Sequence, residues 1–500
     1  MNVKYAVLLT CALLFGLILH SCISDDFTDT PGTPISFSSP TVDFGTVFTG
    51  DTSPTARLVV ANHNKKGIRI SSIRFRNADS PFSFNVDGVS GNEFKDVEIN
   101  GNDSIYIFLE CRIMPDNSDQ PRIVTDELDF TVNGVVSSVE VEATAVNVER
   151  LSDITLTADT QFTPQRPYVI FGTLTVGTGV TLTVEPGTQL LFHAGASMRV
   201  EGNLQAIGTP DKKIDIRGDR LDHVLPDVAY DIMAGQWKGI SISAQSYGNR
   251  LECVDMRSTE EGLRVDSCGN LARQKLTLVN SWLHNSRTTV LESKYAKVDA
   301  YGCCFSEAAG AVVSLTGGEH LFTQCTIANN YLFSMIGGAN LSLYHCLPEH
   351  ADENDNPLMK ASFENGIIWG IGDPLNEGDL KGSEVFFRNV LLKADGDDDD
   401  WFENCIWNED PLFLTIRNDY YFNYHVKPDS PALGAGNPIY VTPQCLTDMD
   451  GADRLASGAP TLGAYALPET PENPQKKPTD HMESGHSHPL SHIHNMTQPT

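Results

Sequence analysis

The sequence predicts an all-β protein in which a long solenoid of stacked strands follows a smaller β-sandwich. Between residues 275 and 346, the strings KLTLVNSWLHNS, VDAYGCCFSEAAG, HLFTQCTIANN and LSLYHC follow one another. Aligned on Ser281, Cys303, Cys325 and Cys346, they repeat at steps of 22, 22 and 21 residues. A period of about 20 to 25 residues is typical of solenoids, in which no repeat buries its apolar face without neighbours. Because apolar residues within each repeat lie two apart, the repeating unit is a strand and the solenoid is a β-helix.

Length and charge limit the classes of function. The chain has 500 residues and a formal net charge of −30. The length predicts two or three structural units. Because a strongly anionic surface repels phosphate backbones, the charge argues against nucleic-acid binding. It also disfavours polyanionic substrates unless cations bridge them.

Residues 1–22 have the pattern of a secretory signal, with one Lys, an apolar run and a small residue before Cys22. The string LHSC (19–22) resembles the lipobox of bacterial lipoproteins, which implies that Cys22 carries a lipid anchor. The next residues, ISDD (23–26), resemble the export signal of Bacteroidetes lipoproteins and imply an outer-membrane lipoprotein at the cell surface. The alternative is a transmembrane anchor with an uninvolved Cys, although the run is short for a span. Residues 23–34 are rich in Asp, Thr, Pro and Gly and predict a tether.

Residues 35–148 predict the β-sandwich. Alternating runs such as ARLVVAN (56–62), IRISSIRF (68–75) and SIYIFLECRI (104–113) are separated by turn residues. Their order resembles the Ig-like modules of bacterial surface proteins. That resemblance implies a spacer, with a binding role as the alternative.

Residues 151–466 predict the β-helix and its closing segment. Five pairs in the string 170–209 are expected to face inward: Leu174/Val176, Leu182/Val184, Leu190/Phe192, Met198/Val200 and Leu204/Ala206. The region resembles the right-handed parallel β-helix family, whose best known members are pectate-lyase-like. About 290 residues in coils of about 22 predict roughly 13 coils. The last part of this region resembles the closing segment of bacterial surface β-helices. It contains, in the same order, the strings DPLF, SPALGAG and DMDGADR…GAY.

One inward position of the coils is expected to carry a ladder of cysteines. Equivalent residues of successive coils lie about 4.8 Å apart, and Cys is a small side chain that is readily buried. We expect Cys303, Cys325 and Cys346 in this ladder, with Cys253 and Cys405 as further candidates, mostly reduced. The preceding residues are expected at a bend, because Asn and Gly tolerate left-handed backbone and an Asn amide can pair with the amide of the next coil. They are Asn280, Gly302, Gln324, His345, Asn365, Asn389 and Asn404.

Two segments are candidate metal sites. Residues 467–500 predict a disordered, Pro- and His-rich tail, in which four imidazoles lie in pairs two residues apart and suit a transition metal: His486, His488, His492 and His494. Residues 394–401 form an Asp-rich loop, in which Asp397 and Asp399 are candidate ligands of Ca²⁺. The alternative for each segment is a solvated chain without an ion, and no other cofactor is expected.

Trp282, Trp369 and Trp407 are candidates for stacking on sugar rings, since each lies shortly after an aligned position. We expect them to share a face; the alternative is that they cover turns or a coil edge.

No catalytic residue is predicted. Acids such as Asp255 and Glu307 show no suitable partner one coil apart, and no phosphate loop, nucleophile elbow or HExxH motif is present. The sequence therefore favours an exported, lipid-anchored surface protein that binds glycans or mediates adhesion without catalysis. The alternatives are a polysaccharide lyase or glycoside hydrolase, and a structural spacer of the cell envelope. The oligomeric state stays open. A groove with three or more carboxylates, or with Arg beside carboxylates, favours the enzyme.

Overall fold

The computed structural model of the chain describes residues 26–225, 228–346, 357–378, 380, 382–417 and 420–467. The chain divides between Asn147 and Val148 into two compact units. Two of the predicted sites lie outside the described residues, namely Cys22 in the leader and the tail histidines His486, His488, His492 and His494.

The first unit is a β-sandwich. Its strands are β1 (Ser36–Phe37), β2 (Thr41–Phe48), β3 (Ala56–Asn62), β4 (Ile68–Phe75), β5 (Phe82–Val86), β6 (Val89–Gly91), β7 (Glu93–Phe94), β8 (Val97–Ile99), β9 (Asp103–Cys111), β10 (Arg122–Val132) and β11 (Val135–Val146). One sheet has the order β1-β3-β9-β5-β6 and the other β2-β11-β10-β4-β7, with β8 beside β4. Neighbouring strands are antiparallel except β2 and β11, which run parallel.

Buried apolar residues alternate with more exposed residues along the strands, so each sheet has one buried face. In β5, which reads FSFNV, the buried Phe82, Phe84 and Val86 alternate with half-buried polar residues. Across the two sheets, the ring centroids of Phe37 and Phe130 lie 4.9 Å apart. The two buried faces therefore form one core, as the alternating runs of the sequence predict.

The second unit contains the remaining strands. The first of them are β12 (Glu149–Leu156), β13 (Thr160–Phe162), β14 (Tyr168–Val176), β15 (Thr181–Val184), β16 (Gln189–Phe192), β17 (Ser197–Val200), β18 (Asn203–Ile207), β19 (Ile214–Gly218), β20 (His223–Leu225), β21 (Val228–Ala229), β22 (Gly239–Ile242), β23 (Asn249–Glu252), β24 (Val254–Met256), β25 (Leu263–Val265), β26 (Leu276–Val279) and β27 (Trp282–Ser286). They are followed by β28 (Leu291–Tyr301), β29 (Cys304–Ala308), β30 (Val313–Thr323), β31 (Thr326–Asn329), β32 (Leu341–Tyr344), β33 (Leu358–Glu364), β34 (Ile367–Gly370), β35 (Leu375–Glu377), β36 (Glu384–Arg388), β37 (Leu391–Leu392), β38 (Phe402–Glu403), β39 (Ile406–Trp407), β40 (Phe413–Thr415) and β41 (Asn423–Val426). Three short 3-10 turns lie at Tyr230–Ile232, Pro438–Tyr440 and Pro443–Cys445.

Twenty-six of these strands form one parallel assembly with three stacks. The A stack contains β12, β14, β17, β22, β25, β28, β30, β32 and β35. The B stack contains β13, β15, β18, β23, β26, β28, β30, β33, β36 and β38. The C stack contains β12, β14, β16, β19, β24, β27, β29, β31, β34, β37 and β39. This parallel β-helix, preceded by a smaller β-sandwich, confirms the predicted fold class.

The inward pairs predicted for the first coils are confirmed. Each of these ten side chains is at most 1% exposed: Leu174, Val176, Leu182, Val184, Leu190, Phe192, Met198, Val200, Leu204 and Ala206. The C stack, which has the most strands, has eleven rungs rather than the roughly thirteen expected. The parallel strands end at Trp407, because the residues from 409 onwards pack outside the coils rather than forming further turns. The loop inserted after β19 also lengthens one coil, to 40 residues (255 minus 215).

The predicted bend is confirmed at one corner of the coil, where the B stack passes into the C stack. Six of the seven expected residues have positive φ: Asn280, Gly302, Gln324, Asn365, Asn389 and Asn404. The expectation fails for His345, which follows an A-stack strand, and Cys253 takes the seventh bend position with φ 48°. Such left-handed positions favour Asn and Gly.

The cysteine ladder is present only in part. The strand register places Cys303 and Cys325 at the same inward position of consecutive rungs, and Cys405 three rungs later. Cys346 was wrongly assigned to the ladder, since it follows β32 in the A stack. Alternation alone does not reveal which stack a strand joins. The more regular ladder consists of Phe322, Phe363, Phe387 and Phe402, whose consecutive ring centroids lie 5.3, 4.8 and 4.7 Å apart.

Residues 409–467, here called the closing segment, pack onto the outer face of the C stack. Amides of the bend residues bind its backbone: Asn280 Nδ2 donates to Thr447 O at 3.1 Å, and Asn365 Nδ2 donates to Asn437 O at 2.9 Å. Asn389 Nδ2 donates to Ala435 O at 3.2 Å. These amides therefore hold the closing segment. The expected pairing between amides of successive coils is also present at one place, where the side-chain oxygen of Gln324 accepts from Asn365 Nδ2 at 2.9 Å.

Candidate functional site

Two groups of polar side chains outside the helix core are candidate sites. The charge cluster lies on the outer face of the C stack and contains Asp215, Arg217, Asp231, Asp255, Arg257 and His284. The end pocket lies at the last rungs of the B stack and is lined by Phe386, Arg388, Asp398, Asp399, Asp400, Trp401, Phe402 and Glu403.

Pairing between rungs builds the charge cluster. Asp215 of β19 pairs with Asp255 of β24, and each is followed two residues later by an Arg on the same face. His284 follows on β27, where Trp282 pairs with Asp255. Asp231 comes from the inserted loop, residues 219–235, which is described except for 226 and 227.

Arg257 is at the centre of the charge cluster. Its Nη1 lies 2.7 Å from Asp215 Oδ1 and 2.9 Å from Asp255 Oδ1. Its Nη2 lies 3.4 Å from Asp231 Oδ2, and His284 Nε2 lies 3.0 Å from Asp255 Oδ1. The side chains of Arg257 and Asp215 are each only 13% exposed. The charges are therefore paired with one another and largely withdrawn from solvent.

The ion pairs keep Asp255 and Arg257 charged. Burial by itself raises the pKa of Asp255, but Arg257 and His284 outweigh it and hold that pKa well below its usual range. Burial lowers the pKa of Arg257, but the surrounding carboxylates outweigh it and raise that pKa above its usual value. A general acid or base needs a pKa near the working pH. Neither residue meets that requirement.

The pairing of Asp215 with Asp255 corrects the expectation that the acids lack a partner one coil apart. The step between them is 40 residues (255 minus 215), because the inserted loop lengthens this coil. A search of the sequence for acids 22 residues apart therefore misses this pair. The available signal was the repeated Asp-x-Arg of IDIRG (214–218) and VDMRS (254–258).

Glu307 is an acid with a strongly raised pKa, but it is enclosed. It is 1% exposed, and Tyr424 of the closing segment donates a hydrogen bond to its Oε1. Burial raises the pKa of Glu307 to about 8. Because the closing segment covers it, a substrate cannot reach this carboxyl without movement of that segment.

The end pocket combines aromatic rings with charges. The guanidinium carbon of Arg388 lies 4.2 Å from the ring centroid of Phe386, and Arg388 Nε lies 3.3 Å from Glu403 Oε2. Trp401 and Phe402 are half-buried and pack against the end of the helix core. The pocket encloses about 360 Å³, which is at the small end of the range for ligand sites.

Carboxylates fix the Asp-rich loop that forms one wall of the end pocket. Asp398 accepts from the backbone N–H groups of Asn404 at 2.6 Å and Cys405 at 3.1 Å. Asp399 Oδ1 accepts from the backbone N–H groups of Trp401 at 2.7 Å and Phe402 at 3.1 Å. The loop thereby closes over the last rung and positions Trp401 at the pocket.

The structure does not bring the three predicted tryptophans to one face. Trp282 and Trp369 lie outside the C stack beside the closing segment. Trp407 pairs with Leu392 in the inward column and packs on Phe402, with 4.9 Å between ring centroids. All three are half-buried, so they do not form a row of exposed rings.

The structure gives no support to the calcium candidates. Asp397 is exposed, and Asp399 binds the backbone amides described above. Within the described ranges, no cluster of three or more His, Cys, Asp or Glu side chains has the arrangement of a metal site.

No family profile and no curated protein matches the chain. One similar structure is a protein of unknown function from Porphyromonas gingivalis W83, with a TM-score of 0.18, 16% identity, and coverage of 25% of this chain and 60% of that chain. Another is PapD-like domain 7 of human CEP192, with a TM-score of 0.18, 11% identity, and coverage of 26% and 97%. A family 123 glycoside hydrolase from Clostridium perfringens has a TM-score of 0.16, 12% identity, and coverage of 25% and 30%. Scores this low carry no argument about fold or function.

No helix in the described part of the chain is long and apolar enough to cross a membrane.

Proposed function

We propose that this is an exported, lipid-anchored cell-surface protein that binds glycans through the end pocket and does not cleave them. The observation that carries the proposal is the lining of the end pocket, where aromatic rings lie beside carboxylates and a guanidinium. Ligand sites commonly combine apolar surface with a few polar groups that fix orientation.

The chemistry of the pocket suits sugar rings. Trp401 offers an apolar ring face, which can stack on the C–H face of a pyranose. Asp400 and Glu403 are exposed and accept hydrogen bonds from hydroxyl groups. The side chain of Arg388 is 25% exposed and can donate hydrogen bonds to sugar oxygens. Because acids outnumber the single Arg, we expect a neutral or amino-bearing glycan rather than an acidic one.

Other parts of the chain support the proposed location. The leader places Cys22 after an apolar run, as in lipoproteins of the Bacteroidetes outer membrane, and the tether follows at residues 23–34. We infer that the sandwich, which resembles Ig-like modules, acts as a spacer that precedes a pectate-lyase-like β-helix in the chain.

Catalysis finds less support, although the charge cluster meets the criterion of Arg beside carboxylates. Arg257 and its acids are engaged in ion pairs. Glu307 has a pKa suited to proton transfer but is covered by the closing segment. Neither the charge cluster nor Glu307 therefore offers an accessible acid or base to a polysaccharide. The end pocket also meets the criterion of Arg beside carboxylates. There, however, Asp398 and Asp399 bind backbone amides of their own loop, and Glu403 is paired with Arg388.

The test is a glycan array with the mature chain, followed by titration of any ligand found. Trp401→Ala should weaken its binding at least tenfold, because truncating an aromatic anchor removes a large share of interface energy. Tyr106→Ala is the control, since this ring is 50% exposed and belongs to the first compact unit, whereas the pocket belongs to the second. Equal affinities of the wild type and the Trp401 variant, with the same melting temperature, would contradict the proposal.

Product analysis of the bound glycan distinguishes binding from cleavage. We expect the glycan to be recovered intact after prolonged incubation. Shortened or unsaturated products from the purified chain would support the lyase or glycoside hydrolase alternative instead.

A further inference from the structure

Glu307 is a buried carboxyl at the interface between the helix and the closing segment. It lies on β29 and is 1% exposed. Among the described residues, its hydrogen-bond partners beyond its own strand are the hydroxyl of Tyr424 and the backbone of Asn330 on the next rung. Its second oxygen, Oε2, has no hydrogen-bond partner among the described residues. A buried carboxylate without a nearby cation is costly, whereas a protonated carboxyl is tolerated.

The surroundings of Glu307 offer no direct compensating charge. Its own strand contributes Ser306 and the buried thiol of Cys304, and the next rung contributes Asn330. On the closing segment, Arg417 donates to the carbonyls of Asn330 at 3.2 Å and Tyr331 at 3.0 Å. Its guanidinium is thus bound to the backbone, and no ion pair with Glu307 is formed within the described chain.

Two acid–base pairs lie near Tyr424. In the closing segment His425 Nε2 lies 3.0 Å from Asp450 Oδ2, so this imidazole is directed at Asp450. The other pair is part of the charge cluster. His284 stacks on Trp282 with 4.1 Å between ring centroids, and Trp282 meets the edge of Tyr424 at 6.4 Å. His284 is bound to Asp255 at 3.0 Å. Its imidazole is therefore directed at that carboxylate and does not neutralise Glu307.

The backbone at this position does not require an acid. Glu307 has φ 52°, and the corresponding residue of the previous rung is Asn285, with φ 54°. A neutral Asn thus satisfies the same left-handed corner one rung away. The carboxyl adds a titratable group to the interface rather than a backbone preference.

We propose that Glu307 is a pH-sensitive latch: the closing segment docks over it while the carboxyl is protonated, and ionisation releases the strands β40 and β41 of that segment from the C stack. On release, the proton passes to water and the carboxylate becomes hydrated. The device also governs access to the outer C face, because Cys304 and Trp282 lie under the same segment.

The direction of the pH effect follows from the two protonation equilibria. Burial raises the pKa of the docked carboxyl to about 8, against 4.5 for an ordinary Glu. Docking is therefore strongest below pH 4.5, weakens as the pH rises from 4.5 to about 8, and stays weak above pH 8. Each pH unit in that window changes the docking equilibrium by up to about tenfold.

The experiment is hydrogen exchange, read by mass spectrometry on the full chain at pH 6 and pH 9, with Glu307→Gln as the comparison. At pH 6, which is 1.5 pH units above the ordinary Glu pKa of 4.5, the wild type should exchange at most about thirtyfold faster than the variant in peptides covering 413–426. At pH 9 this ratio of exchange rates should be at least tenfold larger than at pH 6. Both proteins share the intrinsic pH dependence of amide exchange. The ratio of their exchange rates therefore reports only the effect of the Glu307 carboxyl. Peptides of β29 and β31 should show no such change.

Two further variants make each outcome informative. Glu307→Asn replaces Glu307→Gln if the latter does not fold, since Asn suits the left-handed corner. Glu319→Gln, which removes a half-exposed partner of Lys297 on the B stack, should keep the wild-type pH response. The proposal is overturned if the ratio is the same at both pH values, if exchange rises equally throughout the helix, or if a folded neutral variant already exposes 413–426 at pH 6.

Discussion

The outer faces of the C stack and the B stack belong to the same coils, but their charged clusters differ in exposure. On the C stack, the inserted loop and the closing segment pack over the strands, and Arg257 is 13% exposed among its carboxylates. At the end of the B stack, Arg388 is 25% exposed and its partner Glu403 is 65% exposed. A cluster of charges therefore does not by itself mark a ligand site. The covering segments decide which charges stabilise the fold and which remain free to bind.

The largest expected effect tests the structural role of the covered face. Arg257→Met leaves Asp215 and Asp255 partly buried without their shared cation, and we expect a loss of about 3–5 kcal/mol in the free energy of unfolding. Urea denaturation at neutral pH measures it. Arg250→Met is the control, because the pair Arg250–Glu252 is about a third exposed on both sides and should contribute at most about 1 kcal/mol. Similar losses in both variants would remove the distinction between covered and open faces.

A second prediction concerns His320, which lies in the interior rather than on either face. His320 Nε2 lies 2.8 Å from Gly317 O, and its Nδ1 has no partner among the described residues. Burial lowers the pKa of His320 to about 4, against 6.5 in the unfolded chain. Its contribution to stability is therefore complete above pH 6.5 and falls as pH drops towards 4. His320→Leu should reduce the loss of stability between pH 7 and pH 4 by about 3 kcal/mol.

Denaturation of both proteins at the two pH values measures this difference. An unchanged loss in the His320 variant would show that other groups govern acid unfolding.

A smaller effect is expected where the closing segment meets the corner of the coil. Asn365 donates to Asn437 O at 2.9 Å, accepts from Asn437 N at 2.8 Å, and has φ 51°. Asn365→Ala loses these hydrogen bonds and strains the backbone, for a cost of about 2 kcal/mol. Asn365→Gly keeps the backbone relaxed and should cost about 1 kcal/mol. Thermal unfolding compares the two, and equal losses would mean that the left-handed backbone carries none of the cost.

The sequence predicted the repeat and the interior better than the surface. Alternation identified inward residues such as Leu182 and Phe192 because burial acts on every second residue of a strand. It misassigned Cys346, since the same alternation occurs in all three stacks and a long loop follows that strand. The Phe ladder had a visible signal, because Phe363, Phe387 and Phe402 each lie two residues before a bend Asn.

The candidate sites were harder to predict because they depend on loops. The pairing of Asp215 with Asp255 spans the inserted loop, whose length no repeat period reveals. The end pocket joins Arg388 of β36 to the Asp-rich loop, and only the folded chain shows which carboxylates face the rings. Asp399 was considered a calcium ligand from composition, whereas in the structure it holds the amides of its own loop. Local hydrogen bonds of this kind leave no mark in a sequence pattern.

Hydrogen exchange of the full chain with and without a bound glycan from the array tests the central claim most directly. The account predicts slower exchange in peptides covering residues 384–403, where the end pocket lies, and no change in peptides covering 214–218 and 254–258. Protection of the charge-cluster peptides, with the end pocket unaffected, would show that the ligand binds on the covered C stack and would contradict the account.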